Sequence, residues 1–230
     1  MNPAIVLLSG GLDSTVLLHH VIKDLGYKPV YALSFNYGQR HSVELEMAAW
    51  QADHLAPVKE HCVVQIPSHE FITARSSALI RGGAEIPDLQ ELGPAEREQP
   101  PTYVPNRNMI MLSIAAAAAE ARQCKPVFYA AQAQDEYGYW DCTEEFVTRL
   151  NTLLDLNRRQ AAMVYAPFVN RTKADIVRMG QRLKVDFTYT WSCYRGGDTP
   201  CGTCPTCVER RKAFEKAGLH DPLCEANSAD

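Results

Sequence analysis

The run Ile5-Val6-Leu7-Leu8-Ser9-Gly10-Gly11-Leu12-Asp13-Ser14-Thr15-Val16-Leu17-Leu18 decides how the chain folds. Four apolar residues lead into Ser-Gly-Gly and a second apolar set begins at Val16, which spells a buried strand, a tight glycine turn and a helix start. Two glycines permit positive φ and close backbone approach, and the free N–H groups and dipole of the following helix favour a phosphate there. Ser9, Ser14 and Thr15 add hydroxyls. The run lacks the Gly-Lys-[Ser/Thr] ending of a Walker A loop, so the β/γ-phosphate site of a kinase or GTPase is not indicated.

Outward from this run the same alternation repeats. Pro29 to Phe35 reads as a second strand ending in the polar cluster Asn36-Tyr37-Gly38-Gln39-Arg40-His41, and Ser42 to about Leu55 reads as an amphipathic helix. Glu60 to Ile66 is a third strand. Residues 76–101, with paired glycines and prolines, form a long loop expected to cover a site and to be mobile without ligand. Tyr103 to Asn108 ends that loop and launches a helix over Met109 to Arg122, whose alanines 115–119 suit close packing on a sheet. Further strands are expected at Pro126–Ala131 and Met163–Phe168, and helices at Thr143 to about Leu156 and after the cap Thr172-Lys-Ala-Asp175 to about Leu183. The pattern predicts an α/β fold: an open parallel sheet covered by helices on both faces. The expected division is a nucleotide-handling domain over 1–190 and a small cysteine-bearing appendage over 191–230.

Composition narrows the class. The chain has 230 residues, 46% hydrophobic and 22% charged, with a formal net charge of −4 and pI near 6.0. That charge leaves no footprint for general nucleic-acid binding, and a small anionic substrate needs only a local basic pocket. No apolar run approaches membrane-spanning length and no export signal precedes the first strand, so a cytoplasmic protein is expected.

Of eight cysteines, Cys62, Cys124, Cys142 and Cys224 are scattered, whereas Cys193, Cys201, Cys204 and Cys207 cluster. Two overlapping Cys-x-x-Cys steps, with Gly202 and Pro205 inside them, turn three sulfurs toward one centre, and Cys193 closes the tetrahedron. Four soft ligands with no vacancy suit structural zinc; an iron–sulfur cluster is the alternative for four thiolates.

Taken together, Ser9 to Thr15, Ser34 to His41, Tyr103 to Asn108, Gly138 to Cys142 and Ser192 to Tyr194 with the cysteine cluster resemble the 7-cyano-7-deazaguanine synthase family of the queuosine pathway, over nearly the whole chain. Its Ser-Gly-Gly-x-Asp-Ser loop is shared by the ATP pyrophosphatases, which split ATP between the α- and β-phosphates. The resemblance implies an adenine-nucleotide α-hydrolase-like fold, and conversion of 7-carboxy-7-deazaguanine and ammonia to the nitrile with ATP and Mg²⁺. It also implies a homodimer with structural Zn²⁺ on Cys193, Cys201, Cys204 and Cys207. It places the nucleotide on Leu8 to Leu18, that is Leu8, Ser9, Gly10, Gly11, Leu12, Asp13, Ser14, Thr15, Val16, Leu17 and Leu18. Ser9, Asp13, Ser14 and Arg107 are the implied catalytic residues, and Arg107, Asn108, Tyr139 and Asp141 the implied substrate contacts. A guanidinium at Arg107 can grip a carboxylate or phosphate with two parallel hydrogen bonds. Phe35, Tyr37 and Trp50 are candidates for a dimer surface. The chain departs from the family's usual residues at Asn36 (often Asp), Asn106 (often Gly) and Trp140 (often Pro).

Bland readings compete at each point. The glycine turn also occurs in other doubly wound proteins, Asp13 also suits a helix dipole, and Arg107 could face solvent. Two alternatives for the whole chain are tRNA thiolation or lysidine formation, which call for a catalytic cysteine pair or a basic tRNA-binding domain, and a zinc-ribbon binding module, which leaves the first 190 residues unexplained.

Overall fold

The computed structural model describes residues 2–40, 43–67, 77–93, 100–132 and 139–223. His41, Ser42, Ser76, residues 94–99, Gly138 and Cys224, all named above, lie outside the described residues. Five strands, β1 (Ala4–Leu7), β2 (Val30–Asn36), β3 (Val58–Gln65), β4 (Pro126–Phe128) and β5 (Met163–Tyr165), form one parallel sheet in the order β3-β2-β1-β4-β5. β1 pairs with β2 through Ala4 opposite Val30 and with β4 through Ile5 opposite Val127. The chain builds the sheet first toward β3, then crosses back to β4. The reversal leaves a crevice beyond the carboxyl ends of β1 and β4, where open α/β sheets bind ligands.

Side-chain alternation along β1 sorts the two cores. Ala4 and Val6 point to one face, which α1 (Leu12–Lys23), α2 (Val43–Asp53), α5 (Lys173–Arg182) and α6 (Pro205–Ala217) cover with Val16, Leu17, Ile176, Val177 and Phe214. Ile5 points to the other, covered by α3 (Arg107–Ala121) and α4 (Glu144–Leu154) through Leu112, Ala115, Ala119, Phe146 and Leu150. The expected two-faced α/β sheet is what forms. Element ends differ from expectation by a few residues, since β4 and β5 are short and α3 begins at Arg107 rather than Met109. The cap at Thr172 forms as read: its side chain accepts from the Asp175 N–H at 3.2 Å while Asp175 reaches back to the Thr172 N–H.

Three features depart from the sequence reading. Helix α6, set off by Cys204 and Pro205 and stopped by Gly218 at φ +71°, was not expected. The 77–93 part of the long loop is packed: Ala78, Leu79, Ile80 and Ile86 share a third apolar cluster with Trp191, Cys193, Cys204 and Cys207. Arg40 ties this segment down through the carbonyls of Ala78, Gly83 and Ala84, and Arg195 through that of Ile86. Phe35 and Tyr37 are not spare surface, whereas Trp50 is half-buried. Phe35 is core, Tyr37 lines a cavity, and Trp50 stacks on Tyr189 at 3.6 Å.

The departures from the family's usual residues have local explanations. Asn106 takes φ +53°, a left-handed conformation that asparagine tolerates better than most residues and glycine best. Asn36 accepts from the Gly38 N–H at 3.2 Å, closing a turn. Trp140 is 45% exposed, stands edge-on to Phe146 and donates its indole N–H to the Tyr103 hydroxyl.

Candidate active site and metal centre

Above the β1–β4 crevice lies a cavity of about 290 Å³ whose floor is the glycine loop. Loop geometry follows from two local facts. Gly10, at φ +87°, brings the loop against the first turn of α2, and Ser14 Oγ donates to the Gly11 carbonyl at 3.1 Å. Ser14 also sits 2.9 Å from Ser9 Oγ and takes the Ser9 N–H at 3.2 Å. The Ser-Gly-Gly turn is therefore held by its own hydroxyls, with the α1 N-terminus beneath it.

Leu8, Ser9, Gly11, Leu12, Asp13 and Ser14 line the cavity. Gly10 does not line it; its surface is spent on α2. Thr15, Val16, Leu17 and Leu18 are fully buried and hold the loop from below. Asp13 points toward α5, 3.7 Å from Lys173 Nζ, and Lys173 lies 3.0 Å from Glu209 of α6. Burial raises the Asp13 carboxyl above its usual range; Lys173 works against that shift and Glu209 adds to it. Asp13 Oδ1 is buried with no hydrogen-bond partner among the described residues. Such an orphaned carboxylate oxygen beside a phosphate-type loop suits a hard divalent cation such as the Mg²⁺ that accompanies ATP.

The opposite wall is built by the α3 N-terminus. Arg107 donates to the Tyr37 hydroxyl at 3.3 Å and lies over that ring at 5.7 Å. Burial opposes its charge, but the Tyr37, Tyr194 and Tyr139 hydroxyls outweigh it and Arg107 stays cationic. Asn108 and Tyr139 line the same cavity. Asp141 does not: it is buried behind the wall, where Asn108 and Arg107 stabilise its charge against a larger desolvation cost that raises its pKa.

Several lining groups went unread in the sequence. Glu44 looked like a solvent-facing glutamate in the first turn of a helix. Lys173 was read only as part of a cap, although a cation at a helix N-terminus, where the dipole disfavours it, calls for an anionic partner. Glu209 and Arg210 belong to the unexpected α6. Arg210 is almost fully buried, paired through two parallel bonds of 2.8 and 2.9 Å with Asp221 and donating to Thr190 Oγ1 at 2.8 Å.

The four clustered cysteines converge as read. Their sulfurs all lie within 4.8 Å of one another, with Cys201 and Cys207 3.9 Å apart. A tetrahedron with metal–sulfur distances of about 2.3 Å sets its sulfurs about 3.8 Å apart, so the set fits one ion. The Cys201 and Cys204 N–H groups point at the Cys193 and Cys201 sulfurs at 3.4 Å, hydrogen bonds that stabilise thiolates. The segment after the sheet also touches the loop: the Trp191 N–H donates to the Gly10 carbonyl at 3.0 Å.

The profile of the family described as queuosine biosynthesis protein QueC matches residues 3–218. The chain belongs to the QueC family. A 7-cyano-7-deazaguanine synthase of Archaeoglobus fulgidus is 47% identical over 222 residues, covering 96% of this chain and 89% of that protein. Another, from Caldicellulosiruptor saccharolyticus, is 41% identical over 220 residues, covering 96% and 94%. A solved NMN synthetase from Francisella tularensis aligns with 95% of this chain and 78% of its own at 16% identity and a TM-score of 0.48, too distant to bear on chemistry. In this QueC chain, no described helix is long and apolar enough to cross a membrane.

Proposed function

We propose that this QueC protein converts 7-carboxy-7-deazaguanine and ammonia to 7-cyano-7-deazaguanine by adenylating first the acid and then the amide. The observation that carries this reading is one cavity with a hydroxyl-braced glycine loop as floor and the Arg107 guanidinium as wall. A carboxylate is a poor electrophile and an amide oxygen a poor leaving group; adenylation corrects both. The substrate carboxylate attacks the α-phosphate and pyrophosphate departs, held by the loop N–H groups, Ser9, Ser14 and Lys173. Ammonia displaces AMP to give the amide. A second ATP activates the amide oxygen, and loss of AMP leaves the nitrile.

The chain's share is positioning and charge stabilisation, because AMP and pyrophosphate already leave well. Arg107 and Asn108 orient the reacting carboxylate, Tyr139 flanks the deazaguanine ring, and Asp141 steadies Asn108 from behind. Asp13 would hold Mg²⁺, which neutralises phosphate charge when it enters with ATP. Zinc on Cys193, Cys201, Cys204 and Cys207 would be structural, its coordination closed by four thiolates. Residues 191–230 would act as a pinned C-terminal segment on the 1–190 domain. A cytoplasmic homodimer acting on small molecules, without direct nucleic-acid contact, completes the reading; light scattering showing a monomer at micromolar concentration would remove the dimer.

Mass spectrometry of products from purified protein with ATP, ammonium and 7-carboxy-7-deazaguanine tests the reaction. The nitrile, with two AMP formed per turnover, is the expected result. Release of ADP and inorganic phosphate instead would overturn it.

A further inference from the structure

We propose that Glu44 is the proton acceptor for the nitrogen that becomes the nitrile, a role that rests on the adenylation reading above. The chemistry demands such a group. When ammonia adds to the acyl adenylate, nitrogen gives up one proton as the carbon–oxygen bond to AMP breaks. After the amide oxygen attacks the second ATP and pyrophosphate leaves, the O-adenylated imidate gives up two more as AMP takes the oxygen and the carbon–nitrogen triple bond forms. All three protons of ammonia must leave, and no oxidant or reductant enters.

Few lining groups can take them. Among the described residues no histidine lines the cavity, and its carboxylates are Asp13, Glu44 and Glu209. Asp13 and Glu209 both lie within ion-pair distance of Lys173, at 3.7 and 3.0 Å. Glu44 forms no ion pair or hydrogen bond with the described residues, yet it lines the cavity and its carboxyl lies close enough to feel the Arg107 charge. Its placement is enforced by the backbone. The Glu44 carbonyl packs so closely on Gly10 that a methyl group there would meet it at 1.9 Å, so the first turn of α2 is fixed to the loop that would carry the phosphates.

Its acidity fits the task. Burial pushes the Glu44 carboxyl up to about 7, against the opposing pull of Arg107. Among the described residues, the ionisable groups facing it are Arg107 from α3 and Tyr37 from the β2 exit. A general base works best with a pKa near the operating pH, because it is then unprotonated often enough and still basic enough.

The test separates the half-reactions in Glu44→Gln and Glu44→Asp, each with folding and metal content verified. Hydroxylamine replaces ammonia as a trap for the acyl adenylate, since its more acidic adduct passes a proton to water readily. Expected for Glu44→Gln is hydroxamate and pyrophosphate formation within about threefold of wild type. Nitrile formation from ammonia should fall by about a hundredfold or more, and the rise of the ammonia-dependent rate through about pH 7 should be lost. Glu44→Asp should recover part of the rate and keep a pH-dependent limb. A parallel fall of hydroxamate formation, or a raised KM for the acid in that half-reaction, would make Glu44 a substrate-holding group and overturn the proposal, as would unchanged nitrile formation. Failure of wild-type protein to form hydroxamate at all would instead overturn the adenylation reading itself.

Discussion

Gly10→Ala is the sharpest probe of the loop. A Cβ at that position would sit 1.9 Å from the Glu44 carbonyl oxygen and 2.8 Å from the Ala48 nitrogen, both main-chain atoms of a helix that cannot fold away. Restoring ordinary contact requires the loop and α2 to separate by about 1.5 Å. The left-handed φ of +87° adds about 1–2 kcal/mol for any residue with a Cβ, and overpacking typically costs about 1–3 kcal/mol. Together these give about 2–5 kcal/mol, which at about 2–4 °C per kcal/mol for a chain of this size lowers Tm by about 4–20 °C. Gly26→Ala supplies the control. Its φ is +73° but nothing lies within 4 Å of its Cβ, so only the conformational part of about 1–2 kcal/mol applies. Calorimetry on both variants decides the matter, with pyrophosphate release as a second readout, since a displacement of about 1 Å can cost about a hundredfold in rate. If the two variants melt within about 2 °C of each other, or Gly10→Ala releases pyrophosphate at the wild-type rate, the close contact of loop and α2 is not what shapes the site.

Other expectations follow from single groups. Metal analysis should find one zinc per chain, and Cys204→Ala should lose both the metal and thermal stability; full occupancy in that variant would exclude the four-sulfur site. Arg107→Lys keeps the charge and loses the planar fork, so kcat/KM should fall by about ten- to a hundredfold, equivalent to about 1.5–3 kcal/mol, and an unchanged value would return Arg107 to a spectator. Glu44 also predicts a pH effect on stability. Its folded-state pKa is raised, so the folded protein binds a proton more tightly than the unfolded chain, and this contribution is full below about pH 4.5 and lost as pH rises to about 7. At about 1.4 kcal/mol per unit, wild type should lose up to about 3 kcal/mol relative to Glu44→Gln between those limits; parallel urea midpoints for the two proteins at pH 5 and pH 8 would count against a raised pKa.

What could be read in the sequence was what local chemistry dictates. Ser9 to Thr15 declared a strand, a turn and a helix because hydrophobic period and glycine conformation act over a few residues. The cysteine spacing declared its tetrahedron for the same reason, and Thr172 with Asp175 declared a helix start. What escaped depends on distant partners. The Glu-Arg-Arg-Lys run over Glu209 to Lys212 looks solvated, yet Arg210 is buried because Asp221, Thr190 and the Phe187 carbonyl absorb its charge and donors. Glu44 faces a cavity only because Gly10, more than thirty residues earlier, lets α2 settle onto the loop. Residues 77–93 looked like free loop because their apolar side chains find cover not on the sheet but on Trp191 and the cysteines.

Helix α6 is capped by Cys204, and within its first two turns presents Cys207 to the sulfur cluster and Glu209 and Arg210 to the cavity. One turn of helix rises only about 5.4 Å, so the two sites share a rigid strut. On the proposed reading, linkage between the two sites is reciprocal: by whatever factor an ion on the sulfurs improves ATP binding through this strut, ATP in the cavity tightens the cysteines' grip on that ion.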